Sequence, residues 1–304
     1  MAADVSQRLF VLAMNLRLYD AHNHLHDDRF GGRQAVLLAD CVGEGVAKMV
    51  VNGSCEEDWP KVLALARAHP QVLPSFGYHP WYVHERTAEW QKNLNHFLDQ
   101  VPGAIGEIGL DRWKPGLAYE GQEEVFIAQL CLAAKRDLPV SIHCLQAWGR
   151  LYDLLRDGPR PRCGFLLHSY GGPQEMVAPF AQLGAYFSFP GYFAHARKAR
   201  QRYTFTHVPP DRLLIETDAP DQPLPEIGNA DVSMRHALSQ ATVYSLPATS
   251  SGQPLNHPAN LGAVYRCVAE LLGEPLEQLA ARVEENFRRL LGGSLAEPSL
   301  QIDG

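Results

Sequence analysis

The chain has 304 residues, 46% of them hydrophobic, and a formal net charge of −7. That length suffices for one large barrel or two smaller domains with a sizeable core. The acidic balance excludes a protein that coats nucleic acid through a general positive field and leaves a local basic groove as the route to such a partner.

The six cysteines, at 41, 55, 131, 144, 163 and 267, show neither C-x-x-C spacing nor the density of a disulfide scaffold, and several lie in apolar runs. Reduced thiols in a cytoplasmic protein are the simplest expectation. The Leu9 to Met14 run is too short to span a bilayer, and Asp4 with no early basic cluster makes a poor secretory signal, so no membrane association is expected. Residues 1–17 read as a short helical appendage.

Leu16, Leu18 and Tyr19 suit a buried strand that runs into Asp20-Ala-His22-Asn-His24-Leu25. Side chains alternate along a strand, so Asp20, His22 and His24 share a side and two imidazoles can grip one metal ion. Arg33–Glu44 follows at helical spacing through Val36, Leu37 and Cys41 and stops at Gly43-Glu44-Gly45; Val46–Val51 is a second strand. Glu56–His69 is a helix with Val62, Leu63, Leu65 and Ala66 on its apolar side, and Val72–Tyr78 is a third strand. Thr87–Gln100 is amphipathic, Ala104–Leu110 is strand four, and Glu120–Arg136 is the longest helix. Pro139–Cys144 is strand five, Ala147–Arg156 a helix, Gly164–His168 strand six, Pro173–Leu183 a helix, Ala185–Phe189 strand seven and Leu213–Thr217 strand eight. His195–Tyr203 is polar and basic, a weaker helix. Residues 221–256 carry little apolar period and suit a lid or an excursion over a barrel mouth. Ala259–Leu272 and Leu276–Leu291 are two packed helices, and the tail beyond Gly293 is expected to be loose.

Eight strands alternating with helices are what a (β/α)8 TIM barrel requires, here a single α/β domain over 18–292 with extra C-terminal helices and a tail at 293–304. An open doubly wound sheet satisfies the same periodicity. No G-x-G-x-x-G or Walker-type loop is present, which removes the usual dinucleotide and phosphate-loop fingerprints. Active sites lie at the strands' carboxyl ends, and there the chain repeats metal-type ligands: Glu107 on strand four, His143 on five, His168 on six and Asp218 on eight. Imidazoles mixed with carboxylates suit zinc, manganese, iron or nickel, while magnesium prefers carboxylates and water.

These residues also resemble a family, the TatD-like metal-dependent hydrolases of the amidohydrolase-type barrel class. The motifs are Asp20-Ala-His22-Asn-His24, Gly77-Tyr-His79-Pro80, Gly106-Glu107-Ile-Gly-Leu-Asp111, Ser141-Ile-His143, Leu167-His168-Ser-Tyr170, Glu216-Thr-Asp218-Ala-Pro220, Asn256-His-Pro-Ala-Asn260-Leu261 and Asn286-Phe287-Arg288-Arg289-Leu290, in the family's order. The resemblance implies two divalent ions: one at His22, His24, Glu107 and Asp218, with Glu107 bridging to a second at His143 and His168. It also implies phosphodiesterase or deoxyribonuclease activity on a phosphodiester or nucleic-acid substrate. An amidohydrolase or lactonase, and a non-catalytic metal binder, are the alternatives. No obligate protein partner is evident.

Two ions activate a shared water and neutralise phosphoryl charge, and Asp218 suits both ligation and proton transfer. Asp20 is placed either to fix a ligand's tautomer or as a buried structural acid. Substrate contacts are expected from His79 beside Pro80, from Arg112, Trp113 and Lys114 after strand four, and from Tyr170 and Trp81 as walls, with Arg150, Arg197 and Lys198 behind them. The chain departs from the family pattern beside the pocket. Cys144-Leu145-Gln146 stands where many relatives carry a small polar residue and then Arg, and Ser251-Gly-Gln253-Pro-Leu stands where they have basic residues. These departures weaken DNA as the substrate and leave hydrolysis intact.

Overall fold

The structure, a computed structural model, describes residues 16–248 and 252–295. The expected alternation is realised as β1 Leu18–Asn23, α1 Gln34–Gly43, β2 Val46–Asn52, α2 Trp59–Ala68, β3 Val72–Phe76, α3 Trp90–Leu98, β4 Ala104–Asp111, α4 Tyr119–Arg136, β5 Val140–Leu145, α5 Trp148–Asp157, β6 Phe165–Leu167, α6 Val177–Gln182, β7 Ala185–Pro190, α7 Ala199–Phe205 and β8 Leu213–Glu216. Three further helices follow, α8 Val232–Ser239, α9 Leu261–Leu272 and α10 Leu276–Leu295.

The strands pair in parallel in the spatial order β1 to β8. A doubly wound sheet reverses its strand order at a switch point, so this order rules it out and leaves a TIM barrel. The seam between β8 and β1 is drawn together just past the strand ends. Asp218 N donates to His22 O (3.0 Å) and His24 N to Ala219 O (2.7 Å), so the barrel is nearly closed. Asp20 reinforces the seam: its carboxylate accepts from Thr217 N (3.0 Å), Thr217 Oγ1 (2.6 Å) and His22 N (3.2 Å). It touches no imidazole ring nitrogen by hydrogen bond, so of its two expected roles the structural one is realised.

The strands are buried on both faces, inside against the barrel axis and outside against the helices, which is why they read as near-continuous apolar runs. In α1 the core face is Leu37, Leu38 and Cys41, while Val36 is 61% exposed, so that helix is rotated from the expected face. Two strands break their register with β2 and β5. In β1, Asp20 to Asn23 spans two steps of β2, and in β4, Ile105 to Ile108 spans two steps of β5. Bulges of this kind re-aim side chains beside active sites, and these two enclose His22 and Glu107. Gly109, at φ +150°, lets β4 press against β5: a Cβ there would collide with His143 O.

The described residues of the 221–256 segment do not close over the mouth. Its helix α8 buries Met234, Ala237 and Leu238 against Ala263 and Cys267 of α9, and Tyr244 reaches Glu44 (2.8 Å) on the outside of the barrel. Its first residues, Asp221 and Gln222, do line the cleft. Asn256 then returns to the seam, donating to Thr217 O (2.8 Å), and Asn286 of α10 donates to Leu213 O (2.9 Å). Helix α10 continues through Gly292 and Gly293 to Leu295, past the expected start of the tail. The N-terminal appendage, up to residue 15, and the tail from 296 lie outside the described residues. No helix among the described residues is long and apolar enough to cross a membrane.

Candidate metal centre at the barrel mouth

Glu107 stands at the middle of the strands' carboxyl ends, and its two oxygens face different sets of imidazoles. Oε2 lies 3.4 Å from His22 Nε2 and 3.3 Å from His24 Nε2; Asp218 Oδ1 lies 3.7 and 3.6 Å from the same two nitrogens, which are 3.3 Å apart. Oε1 lies 2.9 Å from His168 Nε2 and 3.1 Å from His143 Nδ1, themselves 3.4 Å apart. The donors of a tetrahedral ion with bonds of ~2.0–2.1 Å stand ~3.3–3.4 Å from one another, a spacing that Glu107 and the two imidazoles of the first set match and that Asp218 exceeds by a few tenths of an ångström, while the second set supplies part of such a shell.

The far nitrogens say which lone pairs point inward. His24 Nδ1 donates to Asn52 O (2.8 Å), a carbonyl that can only accept, which leaves Nε2 as a lone pair in the neutral ring. His143 Nε2 donates to Asp111 Oδ2 (3.1 Å), freeing Nδ1. His22 Nδ1 meets Ser141 Oγ at 2.7 Å, and His168 Nδ1 faces Glu216 Oε1 at 3.7 Å without another partner. Such outer partners fix the tautomer and orientation of a metal-binding imidazole. Lone pairs and carboxylates converging in a buried place call for positive charge. Burial lowers His22 to about 3; burial also opposes charge on His24, yet Glu107 and Asp218 raise that ring to about 9. The donor set fits divalent transition metals.

His79 is different. Its Nε2 lies 3.3 Å from Glu107 Oε1, but Nδ1 accepts from Trp81 N (3.2 Å), so in the neutral ring the proton sits on Nε2 and faces the centre as a donor. Asp218, at φ 53° in the left-handed region, has Oδ2 held by Gln222 Nε2, which also donates to Ser169 Oγ. Strain at such a position persists where the surroundings over-determine it, and here the seam bond to His22 and the Gln222 amide do so.

The centre floors an open cleft of about 320 Å3. His79, Trp81 and Trp113 line it, with Trp113 60% exposed at its lip. Five of the expected substrate contacts lie elsewhere. Tyr170 is fully buried among Trp148, Phe180 and Phe187, its hydroxyl donating to Pro173 O (2.8 Å), because the Ser169 turn at φ 45° sends the next side chain into the core. Arg112 turns its guanidinium onto the Tyr119 ring, 3.7 Å from the centroid, and is not among the lining residues. Arg150 pairs with Glu123 (2.6 Å) and Arg197 with the Tyr192 hydroxyl; Lys198 rests on the Tyr192 ring.

Asp111, visible in the sequence only as the end of the Gly106–Asp111 motif, acts in the structure as a partner of His143. One oxygen holds His143 and the Trp81 indole (2.6 Å), and the other takes the amides of Trp113 (2.7 Å) and Lys114 (2.9 Å). Glu216 was legible as an acid inside an apolar strand run; it accepts from Ser169 N (2.7 Å) and from the Ser188 hydroxyl beside His168. The Asn52 carbonyl is backbone and leaves no signal in residue identity.

A family model described as TatD related DNase matches residues 19–292. The chain is 29% identical over 276 residues to the uncharacterized metal-dependent hydrolase YjjV of Escherichia coli strain K12, covering 90% of this chain and 97% of that one. It is 27% identical over 281 residues to the 3'-5' ssDNA/RNA exonuclease TatD of Enterobacter lignolyticus, covering 90% and 99%. The crystal structure of the E. coli K12 YjjV, a TatD homolog, superposes with a TM-score of 0.78 at 28% identity over 91% of this chain and 98% of that chain. A TatD family hydrolase from Entamoeba histolytica reaches the same TM-score at 19% identity, covering 91% and 98%, a likeness of fold.

Proposed function

This chain belongs to the TatD related DNase family of metal-dependent hydrolases, and from that premise we propose that it cleaves phosphodiester bonds of nucleotides or nucleic acid with two divalent ions. His22, His24, Glu107 and Asp218 would hold one ion; Glu107, His143 and His168 would hold the other. The observation that carries this reading is the division of Glu107, one oxygen toward each pair of imidazoles. Zinc, manganese, iron and nickel suit the nitrogen-rich donor set better than magnesium.

The chemistry such ions would supply when bound there is a lowered pKa for a water and neutralised charge on a phosphoryl group. The remaining work falls to the chain. Asp218, at the cleft edge and steadied by Gln222, takes the proton of the attacking water on its carboxylate. His79 offers Nε2–H to a phosphoryl oxygen, where a fixed donor stabilises developing charge. Trp81 and Trp113 supply the wall against which the substrate is positioned. The nuclease name of one relative, 3'-5' ssDNA/RNA exonuclease, supports a nucleic-acid ester over an amide or lactone.

The protein is purified without added metal and then given Mn, Zn and Mg separately, with a bis-aryl phosphodiester, single-stranded DNA and a lactone panel as substrates. Glu107→Ala and Asp218→Ala are expected to lower turnover by at least about a hundredfold, a loss typical of removing a directly acting group, with circular dichroism unchanged. Variants as fast as the parent overturn the site. Lactone or amide turnover with no phosphodiester turnover under any metal overturns the substrate class.

A further inference from the structure

We propose that the cleft is shaped for a phosphodiester bearing one aromatic base beside the scissile phosphate and provides no track for a strand that runs on past it. The proposal rests on the phosphodiesterase reading above. Its basis is that the two walls over the centre differ in chemistry.

One wall comes from the loops after β3 and β4. Trp81 is held by Asp111 Oδ2 (2.6 Å) and stands edge-on to His79, with ring centroids 5.0 Å apart. Trp113 is 60% exposed, yet its backbone amide is fixed by the other oxygen of Asp111. An indole face kept in water at an anchored position is a stacking platform, and Leu145, 36% exposed at the end of β5, extends the apolar side.

The opposite wall comes from the loops after β1 and β8 and is acidic. Arg29 is the only Arg or Lys among the described residues lining the cleft, and it is already engaged. Its guanidinium donates to both oxygens of Asp221 (2.8 and 2.7 Å) and to both oxygens of Asp27 (3.0 and 2.8 Å). Two carboxylates around one guanidinium leave the trio negative. A second phosphate on that side would have to displace these charge-assisted bonds or face the carboxylates. Lys114, the nearest other cation in the chain after Trp113, rests on the Trp81 ring at 3.8 Å, on the aromatic side.

Proteins that hold single strands combine stacking aromatics with a cationic groove that follows the backbone. Here the first half is present, and among the described residues lining the cleft the second is missing. The cleft volume, about 320 Å3, sits at the lower end of the ~300–1,000 Å3 usual for small-ligand sites. A dinucleoside monophosphate or a nucleoside aryl diester has the matching chemistry: one phosphate, one base to stack, and hydroxyls rather than phosphate toward Asp27 and Asp221.

The test compares a dinucleoside monophosphate with a single-stranded decamer of the same base, using the metal-loaded full chain at 50 and 200 mM salt. The expected kcat/KM values agree within about threefold. The decamer value should fall by no more than about threefold between the two salts, the change for one contacted phosphate on a single strand. A decamer preferred tenfold or more, or a tenfold fall with salt, overturns the proposal while leaving the phosphodiesterase reading standing. Failure to cleave either diester takes down both. Trp113→Ala should raise KM for the dinucleoside about tenfold with kcat little changed, and Trp113→Phe should restore most of it; an unchanged KM in Trp113→Ala removes the stacking platform.

Discussion

Three imidazoles at the mouth, those of His24, His79 and His143, have one nitrogen facing a neighbour of fixed hydrogen-bonding role, and that neighbour decides what the other nitrogen can do. A carbonyl at His24 and a carboxylate at His143 leave inward lone pairs; a backbone amide at His79 leaves an inward N–H. Residue type and strand-end position were enough to pick out His22, His24, Glu107, His143, His168 and Asp218 as a group, because ligands must recur where strands end. The division between holding a metal and donating to substrate depends on neighbours distant in sequence. Asp111 shows what that means in practice. Asp111→Asn, which replaces a pure acceptor with a group that also donates, should weaken metal binding about 10–100-fold, the usual cost of losing such a partner. Competition with a chelating dye measures this, and an unchanged affinity would make Asp111 a brace for the loop alone.

At the scale of elements, local periodicity located the eight strands and the helices to within a few residues, apart from α8, which lies in the 221–256 segment that showed little apolar period. It missed the faces and the bends. Val36 was placed on the core side of α1 and is exposed, and neither the bulge at His22 nor the one at Glu107 is written in the alternation. Loops between elements carry their own stability. Glu56, in the loop after β2, accepts from Tyr78 Oη (2.6 Å), Thr87 N and Oγ1 (3.0 and 2.8 Å) and Asn93 Nδ2 (2.6 Å), joining that loop to the end of β3 and the first turn of α3. Burial raises its carboxyl pKa, but these donors outweigh burial and hold it below the ordinary value. A lowered folded-state pKa means that the stabilisation is present above the unfolded pKa of ~4.3 and is lost as pH falls through the folded value. Glu56→Gln should therefore cost about 1–2 kcal/mol at pH 7 by urea unfolding, with the gap to the parent shrinking below about pH 4. A gap independent of pH would mean that charge plays no part.

For the molecule as a whole, closure of the barrel is what makes a centre out of scattered residues. The β8–β1 seam puts Asp218 against His22 and His24, some 195 positions away in the chain, and Asp20 holds that seam shut. A metal that binds only the closed barrel must stabilise it. Saturating manganese or zinc should raise the melting temperature by about 5–10 °C over the chelated protein, as expected for a concentration ~100-fold above Kd in a chain of this size. Glu107→Ala should lose most of that response, and an equal response in the variant would place the bound metal elsewhere. The alternation of eight strands with helices, the resemblance to the family and the candidate ligands at the strand ends were readable from residues alone, because hydrophobic period and side-chain chemistry are local properties, whereas the choice of a barrel over an open doubly wound sheet came from the strand order. That Tyr170 is core, that Arg112 turns away, that Arg29 is bound by two carboxylates and that the cleft has one aromatic and one acidic wall emerged from the folded chain. Those outcomes depend on which loops meet at the mouth, and that is set by barrel closure between residues far apart in the chain.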